Sequence, residues 1–489
     1  MKKTIKSILA IAIILCMVFT VVGCMQSDDG SDKVAANDDF FTNDEIVQNE
    51  GAQNNASTGN SATQSGGNPT TNTSSTGKDK DTSVPDENKV GGKSWKEVLA
   101  SMPKKLRGTK IVLFNWNTPT EYTGAPAVID EFTKQTGIKV EWKTIAYATY
   151  WTKIPAVVAS GEGIPDVVRA TGPIIEFMIP YDTLSAAKYD FTDEAWDQEL
   201  MDLYTFNGKT YATSLKNTHV GGIGVMFYNK ALIDKYELED PYKLWKANKW
   251  TWDKYISMCR EFADLTGLEG ADGEGNMSRY LNAFGFQGTL HYDKKANKFV
   301  SNIKDKRFRT VVEELCGYYN EEQLFGFGGE PTFNASKALF SLGTAIHARN
   351  KNSYFGTLKA AGSLYVIPMP TIPGQKYYVP WGEAEAYAIP QGAPNAEAVP
   401  YFLRYFLDGA NYELSTYFGN KQNLEVYNWL MSQPNKIYSY GMPGMGVRAE
   451  KESALEGAMP SDVYRIINSK SGIVDKYVDE YNANLKKLK

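Results

Sequence analysis

The chain has 489 residues, of which 42% are hydrophobic and 22% charged, with a formal net charge of -5 at pH 7. So mild a negative balance, without a basic stripe, argues against nucleic acid as a partner. There are three histidines, no His-Glu-x-x-His and no Cys-x-x-Cys, so neither a metal centre nor any other cofactor is expected. Gly-x-x-x-x-Gly-Lys-Ser/Thr and Gly-x-Ser-x-Gly are absent as well, which removes the phosphate-cradling loop and the nucleophile elbow.

Lys2, Lys3 and Lys6 precede an apolar stretch of about 15 residues that closes on Met17-Val18-Phe19-Thr20-Val21-Val22-Gly23-Cys24. A committed membrane span needs roughly 20 apolar residues. Gly23-Cys24 resembles the lipobox of bacterial lipoproteins, with Val21 where Leu is usual and Val22 where a small residue is usual. The resemblance implies that 1–23 is a signal peptide and that Cys24 is acylated, with palmitate as the expected chain. It places the protein on the extracellular face of a bacterial cell membrane. An ordinary signal peptide is the alternative.

Residues 24–94 are rich in Ser, Thr, Asn, Gly, Asp and Gln, as in Asn54-Asn55-Ala56-Ser57-Thr58-Gly59-Asn60. They offer little apolar surface against the entropy of ordering, so a disordered linker is expected. A coil of about 70 residues has a root-mean-square span near 45 Å, enough to lift a domain off its anchor.

Residues 95–489 are a different material, aromatic-rich and periodic, and at roughly 400 residues they exceed a single core. Residues 109–115 read as a buried strand, and 125–135 as a helix stopped by Gly137. A strand at 138–142, a helix at 149–160 closed by Gly161-Glu162-Gly163, and a short strand at 165–168 follow. Strands alternating with helices predict an α/β fold with a largely parallel sheet, whose ligands bind beyond the carboxyl ends of the strands. Two extended passages, around 209–228 and 377–390, read as crossings between lobes. Helices are expected at 230–236, 252–266, 306–322, 397–407 and 461–488. Cys259 and Cys316 fall on apolar helix positions, so two buried thiols are expected, with one disulfide as the alternative.

Eight segments then come in a telling order, among them Gly163-Ile164-Pro165-Asp166-Val167-Val168, Asn207-Gly208-Lys209-Thr210-Tyr211-Ala212, Phe227-Tyr228-Asn229-Lys230, Trp250-Thr251-Trp252-Asp253 and Tyr387-Ala388-Ile389-Pro390-Gln391-Gly392. In this order the chain resembles the extracellular solute-binding proteins of ABC importers, in the maltose- and oligosaccharide-binding group, over about 110–489. The resemblance implies a two-lobed periplasmic-binding-protein-like fold. Its lobe 1 would cover about 106–215 and 382–425, and its lobe 2 about 220–378 and 430–489, with a ligand cleft and hinge between them. It also implies a monomer that captures a small-molecule carbohydrate and delivers it to ABC permease subunits, without being an enzyme.

Sugars are bound by aromatic faces and by polar groups that satisfy hydroxyls. The loop Asn115-Trp116-Asn117-Thr118-Pro119-Thr120-Glu121-Tyr122, at the carboxyl end of the first strand, supplies both, and Arg169 leaves the 165–168 strand at the same edge. Trp381, Glu383, Glu385 and Tyr387 share one face of an extended segment by its period of two, and Trp381 and Glu383 are the favoured contacts there. From the second lobe the candidates are Gln287, Arg349 and Asn350. Glu383 and Glu385 also admit a glycan-acting hydrolase, but alternate residues on one strand are a poor match to the paired carboxylates of glycosidases. A receptor for a non-sugar solute such as a peptide is the other alternative.

Overall fold

Strand β1 (Lys110–Asn115) is buried at every position after Lys110, as a central strand must be. It lies in a computed structural model that describes residues 91–489 apart from 123, 171–179, 217–221, 274–275, 349–354, 382–384, 410–417, 439–454, 456 and 489. All of these belong to one compact unit, Val84–Lys489. Cys24, Arg349, Asn350 and Glu383 lie outside the described residues, as do the expected signal peptide and almost all of the linker. No helix among the described residues is long and apolar enough to cross a membrane.

β1 pairs in parallel with β2 (Lys139–Thr144) and β3 (Val167–Ala170). The third strand begins two residues later than its sequence suggests. Pro165 lacks an N–H, and the Asp166 carboxylate instead accepts from the Val112 amide at 2.8 Å. Helix α1 (Trp95–Ala100) opens the lobe, and α2 (Ala125–Thr136) and α3 (Tyr147–Ser160) form the crossovers. α2 stops at Gly137, whose φ of 73° suits glycine.

The sheet is completed by strands from elsewhere in the chain, β4 (Ala212–Thr213) and β10 (Ala386–Ala388), in the order β2-β1-β3-β10-β4. The sheet is largely parallel as expected, and β10 alone runs against its neighbours β3 and β4. The chain returns here from the second lobe and meets β3 from the opposite end. A helix that follows, α6 (Val399–Gly409), covers α2 through Phe402 and Tyr405 against Phe132.

Residues 91–93 already belong to this lobe. Arg404 of α6, paired with Asp408 at 3.2 Å and almost wholly buried, donates to the carbonyls of Lys93 (2.6 Å) and Gly91 (3.3 Å). The amides of Gly92 and Lys93 donate to Glu194 (2.7 Å) and Asp193 (3.0 Å). A Cβ on Gly92 would overlap the Asp193 carboxylate.

The second sheet has the order β8-β5-β7-β6, built from β5 (Gly224–Asn229), β6 (Glu269–Gly273), β7 (Ala338–Thr344) and β8 (Leu364–Ile367). β5 and β7 are buried throughout, and successive side chains of β5 enter different apolar clusters, Val225 and Phe227 one, Met226 and Tyr228 the other. Helices α4 (Trp252–Thr266) and α5 (Lys306–Cys316) cover one side. Cys259 and Cys316 are both buried there as thiols. Burial pushes the Cys259 thiol up, and Cys316 donates to the Leu455 carbonyl at 2.9 Å.

Helix α7 (Lys421–Ser432) departs from the boundary expected at 425. Asn423 ties it to β8 of the second sheet, accepting from the Val366 amide (2.9 Å) and donating to the Leu364 carbonyl (3.2 Å), while Val426 and Leu430 are buried. Residues 421–425 therefore lie with the second lobe. The long α8 (Val463–Lys487) closes that lobe. The extended run expected at 377–390 divides into β9 (Val379–Trp381), paired with β11 (Lys436–Tyr438), and β10 of the first sheet. Where the passages cross, Gly224 lies under Pro380, and a Cβ there would sit 2.6 Å from the Pro380 carbonyl oxygen. Gly224→Ala should therefore cost about 1–3 kcal/mol by overpacking two backbones. Urea unfolding of the two proteins checks this, and equal midpoints would refute the close crossing.

Candidate functional site

Asn115, the last residue of β1, is buried and organises the loop that follows. Its Nδ2 donates to the Tyr122 hydroxyl (3.0 Å) and its Oδ1 accepts from the Asn117 amide (3.0 Å), so residues 116–122 fold back over the strand end. Within the loop, Thr118 and Glu121 form a capping box around a short turn. The exposed Glu121 carboxylate accepts from the Thr118 amide (2.7 Å), the Thr118 hydroxyl (3.0 Å) and Asn117 Nδ2 (2.8 Å). Its oxygens are thus engaged in shaping the loop.

Arg169 leaves β3 at the same edge. Its guanidinium lies 4.1 Å from the Trp116 ring centroid, within cation–π range. Nη1 donates to Asn117 Oδ1 at 3.0 Å, and Nη2 lies 3.4 Å from Glu385 Oε2. Tyr147, Tyr150 and Trp151 of α3 also pack on the half-buried Trp116, with centroids 5.5, 5.0 and 5.6 Å away. The buried Tyr150 hydroxyl shares its proton between the carbonyls of Phe114 (2.9 Å) and Arg169 (2.7 Å), which pins β1 to β3 below the site.

Glu385, just before β10, accepts at Oε1 from the hydroxyls of Tyr387 (2.6 Å) and Tyr122 (3.1 Å). Burial pushes both hydroxyls well above the ordinary tyrosine value, so they stay protonated and can only donate to the carboxylate. The Arg169 and Glu385 side chains are 13% and 10% exposed, which removes them from most solvent screening. Asn115, Tyr122, Glu385, Tyr387, Arg169 and Asn117 therefore form one hydrogen-bonded network beneath an aromatic surface. It can donate to and accept from neutral hydroxyl groups. Among the described residues no group of three or more His, Cys, Asp or Glu could hold a metal ion.

The structure brings Trp116, Asn117, Glu121, Tyr122 and Arg169 together. Trp381 contributes its backbone to β9, at the register of Tyr438. Glu385 joins the network. Gln287 is half-buried in the second lobe, beside the Gly285 turn over which the Tyr378 ring sits, and hydrogen-bonds to none of the network. Tyr147 and Trp151, half-buried at the start of α3, enter the site without having been singled out in sequence. The signal for them is a four-residue aromatic spacing at the first turn of a helix that follows an edge strand.

The chain belongs to the family of bacterial extracellular solute-binding proteins, whose model matches residues 127–419. No curated protein resembles it closely enough in sequence to match. Its fold is that of two-lobed binding proteins of known structure. An ABC substrate-binding protein from Listeria monocytogenes in complex with cycloalternan is 16% identical, with a TM-score of 0.56 over 76% of this chain and 99% of that one. The cyclic α-maltosyl-1,6-maltose binding protein from Arthrobacter globiformis is 13% identical, with a TM-score of 0.56 over 78% and 99%. The galacto-N-biose/lacto-N-biose I-binding protein of the ABC transporter from Bifidobacterium longum, in complex with lacto-N-biose, is 17% identical, with a TM-score of 0.54 over 76% and 98%.

Removing the carboxylate from the network leaves a buried guanidinium and two buried hydroxyls without their acceptor. Glu385→Ala should therefore cost about 3 kcal/mol, with part recovered in the Arg169→Ala, Glu385→Ala double variant. Urea denaturation reads both values, and a loss under about 1 kcal/mol for the single variant would show the pair to be solvated.

Proposed function

We propose that this protein captures a carbohydrate, an oligosaccharide of neutral sugars, in the cleft between its lobes and hands it unaltered to an ABC-type permease. The observation that carries the reading is the edge of the first sheet, where half-buried Trp116, Tyr147 and Trp151 adjoin the Arg169–Glu385–Tyr122 network. Stacking surface beside fixed donors and acceptors suits a polyhydroxylated ring. The sugar ligands of the structural neighbours support the same class. The pairing of Arg169 with Glu385 keeps the local charge near neutral, which disfavours a strongly anionic cargo.

In this reading Trp116, Asn117 and Arg169 supply the first lobe's contacts, while Glu121 and the buried Tyr122 hold the loop that presents them. Trp381 and Glu383 supply those of the crossing, and Gln287, Arg349 and Asn350 those of the second lobe. Since Arg169 covers one face of Trp116, the ring meets a ligand by its edge, and Tyr147 and Trp151 offer the stacking surface. The protein acts as a monomer without catalysis, tethered through an acylated Cys24 and a flexible segment that ends before Gly91.

Thermal shift of the protein against a panel of oligosaccharides tests the cargo. A ligand at about 100 times its Kd should add about 2.7 kcal/mol of stability, and the glycan should be recovered intact. A shift with peptides only would remove the sugar, and cleaved glycan would remove the receptor. For the anchor, full-length protein expressed in a bacterium should sediment with membranes, and Cys24→Ser should release it. Sedimentation of both alike would exclude lipidation at Cys24.

A further inference from the structure

The covalent crossings are not all that joins the two lobes. A short hairpin of the first lobe, Thr205–Phe206 paired with Lys209–Thr210, turns at Asn207-Gly208. Both turn residues have positive φ, 51° and 74°, the geometry of a tight two-residue hairpin. A hairpin of the second lobe, Leu290–Asp293 paired with Lys298–Ser301, meets it tip to tip. Asn297 Nδ2 donates to Asn207 Oδ1 at 2.8 Å, and the Tyr292 hydroxyl donates to Asn297 Oδ1 at 2.5 Å.

The end of α8 completes the junction. The last carbonyls of a helix have no partner within it. Here Asn207 Nδ2, from the other lobe, donates to the carbonyls of Leu485 (2.8 Å) and Leu488 (3.4 Å). Phe206 packs on Tyr292 (5.0 Å) and Phe299 (6.4 Å), and Phe299 in turn on Tyr481 of α8 (5.3 Å). Leu200, Tyr204, Phe206 and Tyr211 of the first lobe share one apolar cluster with Phe299 and Leu485 of the second. Two ion pairs flank it, Lys294–Asp202 at 3.1 Å and Lys436–Glu199 at 2.5 Å.

We propose that this junction is a strap that sets the angle between the lobes and limits how far they open. Its elements are rigid hairpin tips and a helix end, anchored in different lobes, and the segment that carries Asn207 leads directly into β4 and the first crossing. A rotation of one lobe against the other must therefore carry the tips along or pull them apart. The single Asn207 carboxamide bonds to two separate elements of the second lobe, so its loss frees both at once.

The test is a distance distribution between spin labels on the two lobes, measured by double electron–electron resonance. Labels go on Lys153→Cys of α3 and Lys306→Cys of α5, both exposed, in the full chain with Cys16 and Cys24 changed to Ser. Cys259 and Cys316 are buried beyond the reach of the label. Asn207→Gly keeps the left-handed turn and deletes the carboxamide. The expected result is a distribution about twofold broader than that of the parent, with a single cooperative melt retained. Asn297→Gly, which cuts the same contact from the other lobe, should broaden it likewise and decides the matter if Asn207→Gly fails to fold. Distributions superimposable on the parent's overturn the strap, even if hydrogen exchange quickens at the hairpin tips. The readout uses no ligand, so its failure is distinct from failure of the carbohydrate reading.

Discussion

The antiparallel register between β3 and β10 is the constraint from which the site follows. Arg169 stands directly opposite Tyr387 in that register. With the period of two along a strand, Glu385 is then carried to the guanidinium although 216 residues separate the two in sequence. A slip of one residue would turn Tyr387 and Glu385 to the other face of the sheet. The small side chains of Ala386 and Ala388, wholly buried on the opposite face, make such a slip costly, because they would have to exchange places with a tyrosine.

A buried ion pair held this way is a device for geometry more than for stability. Desolvation offsets much of the attraction between Arg169 and Glu385, and apolar residues of equal volume can be as stable. What the pair contributes is orientation. Three hydroxyl or amide groups, on Tyr122, Tyr387 and Asn117, meet the two charged ends at defined positions, and Trp116 takes the face of the guanidinium. A binding surface assembled from such groups has little side-chain freedom left to lose when a ligand arrives.

Much of this was legible in the sequence, for identifiable reasons. β1, α2 and α4 carry clear periodicity between punctuating glycines, and their ranges agree closely with the structure, whereas α5 ends at Cys316, short of the expected 322, where the chain passes into a π-turn at Gly317. The position of the loop 116–122 at the carboxyl edge of the sheet was legible because it ends a buried strand. Even the role of Glu121 is written there, since Thr118-Pro119-Thr120-Glu121 spells a capping box. Other features were not local properties. Nothing within 421–432 states which sheet the helix covers, because its apolar face would fit either one. The direction of β10 depends on where the chain has been in the meantime. The capping of Trp116 by Arg169 depends on two strands adjacent only in the sheet.

The attachment of residues 91–93 has a mechanical consequence. Arg404, Asp193 and Glu194, which grip that segment, all belong to the first lobe. Any tension that reaches Gly91 from the polypeptide before it is therefore discharged into α6 and the sheet beneath, and none of it passes through the crossings at Gly224 and Pro380. The hinge lies off the load path. Drag or stretch on the chain before residue 91 therefore leaves the second lobe held as before, by the crossings and by the junction at Asn207.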